Sequence, residues 1–129
     1  MLHDVNILLG VTGGVAAYKA VDLASKLTAA GARVRTVMTE AACRLVGPTS
    51  FEAVTGSAVF TTMWGAPDEF KISHIDLVDW AGLVVVVPAT ANIIGKTANG
   101  ICDDLLSTIL CACWPLTQSG MTLVAPAMN

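Results

Sequence analysis

The sequence predicts an α/β protein with a Rossmann-like (flavodoxin-like) doubly wound parallel sheet in a single domain. Residues 83–87 are five consecutive apolar residues, which is typical of a strand buried on both faces of a sheet. Similar runs alternate with segments of helical periodicity, and this alternation favours parallel strands joined by right-handed crossovers. A chain of 129 residues is long enough for one hydrophobic core, so we expect one domain over residues 1–129.

The elements can be placed in order along the chain. Strands are predicted over residues 6–11, 33–38, 82–87 and 121–125. Helices are predicted over residues 15–29, 41–46, 48–54, 93–98 and 103–112, and Gly31 and Gly56 act as stop signals after the first and third of them. Residues 74–80 predict a short amphipathic turn. Residues 57–71 carry no clear pattern, and within them residues 64–68 predict a loop that is mobile or contacts a partner.

The composition limits the class of protein. Hydrophobic residues make up 54% of the chain and charged residues 13%, against the ~25% charged residues usual in soluble proteins. So much apolar surface predicts an oligomer. No apolar run approaches the ~20 residues of a membrane span, and a net charge of −3 without a basic cluster argues against nucleic acid. Asp4 stands where a signal peptide needs basic residues, so we expect a cytoplasmic protein.

The four cysteines form no CxxC pair. Cys111 and Cys113 are one residue apart on a predicted helix, so they point to different sides. We therefore expect no metal site. Reduced, mostly buried thiols are predicted instead, as in other cytosolic proteins.

Two predicted strands run into similar turns rich in proline, alanine and asparagine. The first, P-A-T-A-N, spans residues 88–92, where the proline is expected to end the strand, and A-P-A-M-N spans residues 125–129. Ligands of open α/β sheets bind outside the carboxyl ends of the strands, and both turns should lie at that edge. Asn92 and Asn129 would present amides that donate and accept hydrogen bonds. A ligand of mixed polarity, such as a ring or an acid group, would suit them.

The turn after the first strand, G-V-T-G-G-V over residues 10–15, is a candidate phosphate site. It places backbone N–H groups and a hydroxyl at a helix N-terminus, where an anion is stabilised. The spacing is not G-x-G-x-x-G, so the dinucleotide fingerprint is absent, and a plain tight turn is the alternative. Thr39, at the end of the second strand, either adds a hydroxyl to the site or caps the next helix.

His74 is the candidate catalytic side chain, since it precedes the strand that leads into P-A-T-A-N. A surface or packing histidine is the alternative. His3, near the N-terminus, is a weaker candidate. Asp103 and Asp104 precede a predicted helix, where the helix dipole favours negative charge, and we expect them to cap it.

Six motifs occur in order over essentially the whole chain: G-V-T-G-G-V-A-A-Y-K, M-T-E-A-A, H-I-D-L-V-D-W-A, P-A-T-A-N, A-N-G-I-C-D-D-L-L-S-T and A-P-A-M-N. Together they resemble the homo-oligomeric, flavin-dependent cysteine decarboxylases. Within that group the resemblance is greatest to the phosphopantothenoylcysteine decarboxylase family of coenzyme A biosynthesis.

The resemblance implies a Rossmann-like fold that binds FMN and assembles as homotrimers, sometimes as trimers of trimers or dodecamers, with flavin near subunit interfaces. It also implies oxidation of a cysteine moiety by flavin, loss of CO2 and return of the electrons, which converts phosphopantothenoylcysteine to 4'-phosphopantetheine. By motif, His74 matches the active-site histidine and Asn129 the residue that holds the substrate carboxylate. The residues implied for FMN are Gly13, Gly14, Val15, Met38, Thr39, Glu40, Thr90, Ala91, Asn92 and Ala127.

Two departures accompany the resemblance. Family members often carry threonine where this chain has Ile93, which predicts the loss of one flavin hydrogen bond. The family continues past P-A-M-N with a substrate flap that carries a proton-donating cysteine, and no cysteine of this chain matches it. The resemblance thus predicts a member truncated after Asn129 that binds flavin without completing the reaction.

Three other functions stay open. The substrate could instead be a C-terminal peptidyl cysteine, as in lantibiotic maturation, although M-T-E and P-A-M-N favour the coenzyme A branch. A non-catalytic flavin-binding regulatory subunit is a second alternative, against which His74 and Asn129 argue. A plain nicotinamide-binding domain is the third, and the absent fingerprint argues against it.

Overall fold

The structure is a computed structural model and describes residues 1–64, 74–116 and 121–126. Its strands are β1 (Asn6–Val11), β2 (Arg33–Met38), β3 (Val59–Phe60), β4 (Leu83–Ala89) and β5 (Met121–Pro126). Its helices are α1 (Ala17–Ala29), α2 (Glu40–Leu45), α3 (Pro48–Thr55), α4 (His74–Trp80), α5 (Ala91–Asn99) and α6 (Leu105–Leu116).

The described strands form one parallel sheet in the order β3-β2-β1-β4-β5. This is the Rossmann order 3-2-1-4-5, and without the two-residue β3 it is the start of the flavodoxin order 2-1-3-4-5. The predicted fold class is therefore confirmed. The order reverses between β1 and β4, where Leu9 lies opposite both Thr36 of β2 and Val85 of β4.

Helices cover both faces of the sheet, because successive side chains of a strand point to opposite faces. From β1, Leu8 packs in one cluster with Leu77 of α4 and Leu106 of α6. Leu9, the next residue, packs in a second cluster with α1 and with Phe51 of α3. All five of these side chains are buried, so β1 is a core strand, as its apolar run predicts.

Several boundaries differ from the prediction for local reasons. Helix α1 begins at Ala17 and not at residue 15, because a tight turn intervenes in which the Gly14 N–H donates to the Thr12 carbonyl. Residues 74–80 form a true helix, α4, and not a turn. The fifth strand, β3, escapes prediction because two residues carry no periodicity.

Pro88 does not end its strand, as predicted, but lies inside β4. The ladder between β1 and β4 extends only to the pair Gly10 and Val86, so no N–H is needed from residue 88. The pairing with β5 is also irregular between Val86 and Ala89. A proline is tolerated at such an irregularity, whereas it would remove a ladder bond in a regular central strand.

The expectation of four reduced cysteines is wrong, because Cys102 and Cys111 form a disulfide. Their Cα atoms are 6.9 Å apart, with Cys102 in the segment before α6 and Cys111 within that helix. Linear spacing does not reveal the pair, since the chain turns between the two residues. Cys43 and Cys113 are thiols, and burial raises the pKa of both.

Neither a membrane-spanning helix nor a metal-binding cluster occurs among residues 1–64, 74–116 and 121–126. No helix among them has the length and apolar character to cross a membrane. Likewise, the described part of the chain holds no cluster of three or more His, Cys, Asp or Glu residues suited to a metal ion.

The hydroxyl of Thr12 joins the carboxyl ends of β1 and β4. It donates to the Pro88 carbonyl oxygen and accepts from the Thr90 N–H at 3.1 Å. Thr12 is only 1% exposed, so water cannot replace it. Thr36 of β2 is equally buried, but its hydroxyl has no hydrogen-bond partner among the residues that the structure describes.

We predict opposite effects of two isosteric substitutions. Thr12→Val leaves the Thr90 N–H and the Pro88 carbonyl without this partner and should cost about 1–3 kcal/mol in the free energy of unfolding. Thr36→Val removes an unsatisfied buried hydroxyl and should be neutral or stabilise the protein by up to about 1 kcal/mol. Urea denaturation of both variants measures the difference. Equal destabilisation would show that the Thr12 bridge adds nothing specific.

Candidate functional site

A cavity of about 660 Å³ opens at the carboxyl edge of the sheet, beside the point where the strand order reverses. Open α/β sheets bind their ligands at such a switch point. The volume lies within the range of small-molecule sites, ~300–1,000 Å³. The cavity is lined by Thr12, Gly13, residues 38–41, Arg44, residues 61–64, Thr90, Asn92, Ile93, Lys96 and residues 103–106.

The turn after β1 forms one wall, and it requires a glycine. A Cβ atom on Gly13 would lie 2.5 Å from the Cβ of Ala41 in α2, which is too close for two carbon atoms. No side chain caps the start of helix α1. The N–H groups of its first turn therefore need acceptors other than a capping side chain. The Thr12 hydroxyl, however, is not available to donate to a phosphate, since it donates to the Pro88 carbonyl oxygen.

Thr39 serves as the cap that the sequence allowed and also lines the cavity. Its hydroxyl accepts from the Ala42 N–H at 3.2 Å at the start of α2. Glu40 and Arg44, one turn apart on this helix, form an exposed ion pair at 3.7 Å. Met38 is buried at the end of β2 and contributes an apolar side to the wall.

The turn after β4 repeats this arrangement on the other side of the switch point. Thr90 caps α5, and its hydroxyl accepts from the Ile93 N–H at 3.3 Å. Asn92 is exposed and lines the cavity, as its predicted role requires. Ile93 is 3% exposed and packs in the core cluster, which accounts for an apolar residue at this position.

Lys96 and Asp103 form an ion pair in the wall that sequence reasoning missed. The Lys96 Nζ lies 2.8 Å from Asp103 Oδ1, and the Lys96 side chain is only 19% exposed against 58% for Asp103. The hydrogen bond between them raises the pKa of Lys96 and lowers that of Asp103. The predicted helix begins at residue 93 and leaves Asn92 in the turn, whereas α5 begins at Ala91, so that Asn92 and Lys96 stand four residues apart on one helix.

Asp104 caps α6, as expected for a residue before a helix. Its carboxylate accepts from the Ser107 N–H at 2.9 Å, while the Asp104 N–H donates back to the Ser107 hydroxyl at 3.1 Å. This reciprocal pair is a capping box. The adjacent Asp103 does not cap the helix but pairs with Lys96.

His74 lies outside the set of described residues that line this cavity. It is the first residue of α4 and is half-buried. At the other end of α4, the Trp80 carbonyl accepts from the Asn6 side chain, where β1 begins. His74 therefore lies towards the carboxyl edge of the sheet, the same edge as the cavity.

Six of the residues that the resemblance implies for FMN line the one cavity: Gly13, Met38, Thr39, Glu40, Thr90 and Asn92. Gly14, Val15 and Ala91 adjoin these residues in the chain but do not line it, and Val15 is 85% exposed. Ala127 and Asn129 lie outside the described residues, as does most of the loop predicted over residues 64–68.

Comparison with known proteins gives one family for the whole chain. A family model described as Flavoprotein matches residues 1–129. The coenzyme A biosynthesis bifunctional protein CoaBC of Bacillus subtilis (strain 168) is 50% identical over 129 residues, covering 100% of this chain and 30% of the relative. The chain thus spans about a third of the length of the curated relatives it matches.

Solved structures give the same picture. The crystal structure of the FMN-dependent cysteine decarboxylase SpaF has a TM-score of 0.83 at 38% identity, covering 100% of this chain and 71% of that one. A PPC decarboxylase mutant complexed with pantothenoylaminoethenethiol has a TM-score of 0.76 at 33% identity, covering 97% of this chain and 68% of that one.

The ion pair in the cavity wall predicts a measurable pKa change. In Lys96→Met the Asp103 carboxyl loses its hydrogen-bonded cation, so its lowered pKa should rise towards the ordinary value of 3.8. Because the folded-state pKa is the lower one, the pair stabilises the fold at neutral pH, and this is lost as pH falls through the lowered pKa. Carboxyl-carbon NMR titration of Asp103 measures the change.

Lys26→Met is the matched control, because Lys26 forms a pair of the same 2.8 Å length with Asp22 on the surface of α1. It should leave the pKa of Asp103 unaltered. An Asp103 pKa that is the same with and without Lys96 would contradict the pairing.

Proposed function

The chain belongs to the flavoprotein family, alongside FMN-dependent cysteine decarboxylases, and on this premise we propose that residues 1–129 form an FMN-binding decarboxylase domain. The reaction we propose is FMN-dependent oxidative decarboxylation of 4'-phosphopantothenoylcysteine to 4'-phosphopantetheine in coenzyme A biosynthesis. One observation carries the cofactor assignment: six residues from three separate motifs line a single cavity at the switch point of the sheet.

The residues of the cavity fit FMN. Gly13 keeps the first turn open where any side chain would collide with α2, so a phosphate can approach the backbone. Helices α2 and α5 both begin at the cavity, each capped by a threonine that also lines it. Met38 and Ile93 supply apolar walls, and the Asn92 amide can match a ring edge that both donates and accepts.

The bound flavin would supply the electron chemistry, and the protein would bind, orient and protonate or deprotonate the substrate. We assign His74 as the base that accepts a proton during oxidation of the cysteine moiety, a role for which an imidazole nitrogen with a free lone pair is suited. Asn129 would hold the substrate carboxylate. In the proposed homotrimer or larger assembly, with flavin near subunit interfaces, His74 would serve the cavity of a neighbouring subunit.

Exposed apolar side chains support that assembly. Val15 is 85% exposed, Tyr18 is 60% exposed, and Ile94 and Val124 are each nearly half exposed. Large apolar residues left in water on a chain with few charges are typical of surfaces that pack against another subunit.

Decarboxylation of a C-terminal peptidyl cysteine is the alternative reaction. The match to SpaF, an FMN-dependent cysteine decarboxylase at 38% identity, specifies neither a free nor a peptidyl cysteine and so fits either reaction. The match to CoaBC, at 50% identity over all 129 residues, favours the coenzyme A branch. Parallel assays with phosphopantothenoylcysteine and a peptide ending in cysteine would separate the two substrates.

We predict that the purified protein is yellow and releases FMN, and neither FAD nor NAD, on denaturation. The short turn after β1 lacks the G-x-G-x-x-G spacing of dinucleotide-binding sites, which favours a mononucleotide. Mass spectrometry of the released chromophore measures this. A dinucleotide, or no bound flavin after incubation with FMN, would rule out the proposed cofactor.

We predict that His74→Asn retains flavin but loses CO2 release. Asparagine has similar size and hydrogen-bonding capacity but cannot accept the proton, and His74 does not line the cavity of its own chain. Flavin absorbance, sedimentation and CO2 release from phosphopantothenoylcysteine under anaerobic conditions are the measurements. If the rate falls by less than about tenfold, equivalent to ~1.4 kcal/mol in the barrier, His74 is not the base.

A further inference from the structure

The described part of the cavity wall includes a shielded cation. Two basic residues line the cavity among those that the structure describes: Arg44 has a side chain 79% exposed, whereas that of Lys96 is 19% exposed. A charge screened less by water acts more strongly on a ligand. Of these two cations, Lys96 is therefore expected to interact more strongly with a ligand in this cavity.

Lys96 has a fixed position in the wall. Its Nζ is held at 2.8 Å by Asp103, and its carbonyl accepts from the Ile101 N–H at 2.9 Å. Asp104, the neighbouring acid, has its carboxylate committed to the Ser107 N–H. Among the described residues, Lys96 is hydrogen-bonded to one carboxylate, that of Asp103, and the charge of Asp104 also raises its pKa. One such hydrogen bond leaves two of the three ammonium protons for other acceptors.

The sheet order places Lys96 away from the phosphate end of the cavity. Gly13, Thr39 and Arg44 belong to the connections after β1 and β2, whereas Lys96 and Asp103 follow β4, on the other side of the switch point. Asn92 and Lys96 are four residues apart on α5 and both line the cavity, so they share one face of that helix.

We infer that Lys96 faces the flavin ring and stabilises its negatively charged two-electron-reduced form, while Asp103 moderates this effect. The inference rests on the proposed function, since it requires FMN in the cavity with its ring towards Asn92. A reduced ring carries more negative charge than an oxidised one, so a nearby cation favours it and a nearby anion opposes it. The pair would set how readily the flavin accepts electrons from the substrate.

The test uses variants of opposite charge effect. Lys96→Met keeps the length of the side chain and should lower the preference for reduced over oxidised FMN by about tenfold, which equals ~30 mV for a two-electron couple. Asp103→Asn removes the carboxylate that is hydrogen-bonded to the lysine, while Asp104 remains nearby, and it should change the preference in the other direction. Spectroelectrochemical titration measures the potential, and fluorescence titration gives the Kd for FMN and for riboflavin.

Lys26→Met is again the matched control, and it should leave the potential unaltered because the Lys26–Asp22 pair lies outside the cavity. A purely structural pair would move the potential in the same direction, or not at all, in Lys96→Met and Asp103→Asn, and either result would overturn the inference.

Two further results would also overturn it. One is an equal loss of oxidised and reduced FMN binding in Lys96→Met with riboflavin unaffected, which would place Lys96 at the phosphate. The other is a lack of FMN binding by the unaltered chain, which would refute the proposed function itself. Normal FMN binding without a shift in potential would refute only the inference about Lys96.

Discussion

The structure depends on the reversal of strand order between β1 and β4. On one side of this point the chain continues to β2 and β3, and on the other to β5. The connections therefore leave the sheet edge in opposite directions and open a crevice between them. The buried hydroxyl of Thr12 holds the two strand ends together by bonding both the Pro88 carbonyl and the Thr90 N–H. Without this link, β1 and β4, which carry the two walls of the cavity, would be joined only by the ladder that ends at Gly10 and Val86.

Capping explains how the site is built from few polar residues. Thr39 and Thr90 each satisfy the start of a helix and also lie in the cavity wall. Asp104 does the same for α6. A chain with only 13% charged residues can in this way line a cavity with polar groups that also stabilise the fold. The same residues can therefore stabilise the fold and line the candidate binding site.

Parts of the fold were predictable because they are local or periodic. The bounds of β1 follow from its apolar run and those of β2 from an alternating pattern that becomes apolar, and the structure has both strands at the predicted residues. Pro88 was misjudged because the cost of a proline in a strand depends on whether its N–H is needed, and this is a property of the partner strands. The Cys102–Cys111 pair was missed for a similar reason, since it requires the turn into α6.

The sequence by itself determined the fold class, the strand–turn motifs and the residue types that meet at the sheet edge, because these depend on periodicity and on the chemistry of single residues. Only the tertiary structure decided that a side chain at position 13 would collide with Ala41 and that the Thr12 hydroxyl links β1 to β4. It also decided that Lys96 pairs with Asp103 in the cavity wall. Those outcomes depend on distances between elements far apart in the chain. Burial and Coulomb energy vary steeply with such distances and not with sequence separation.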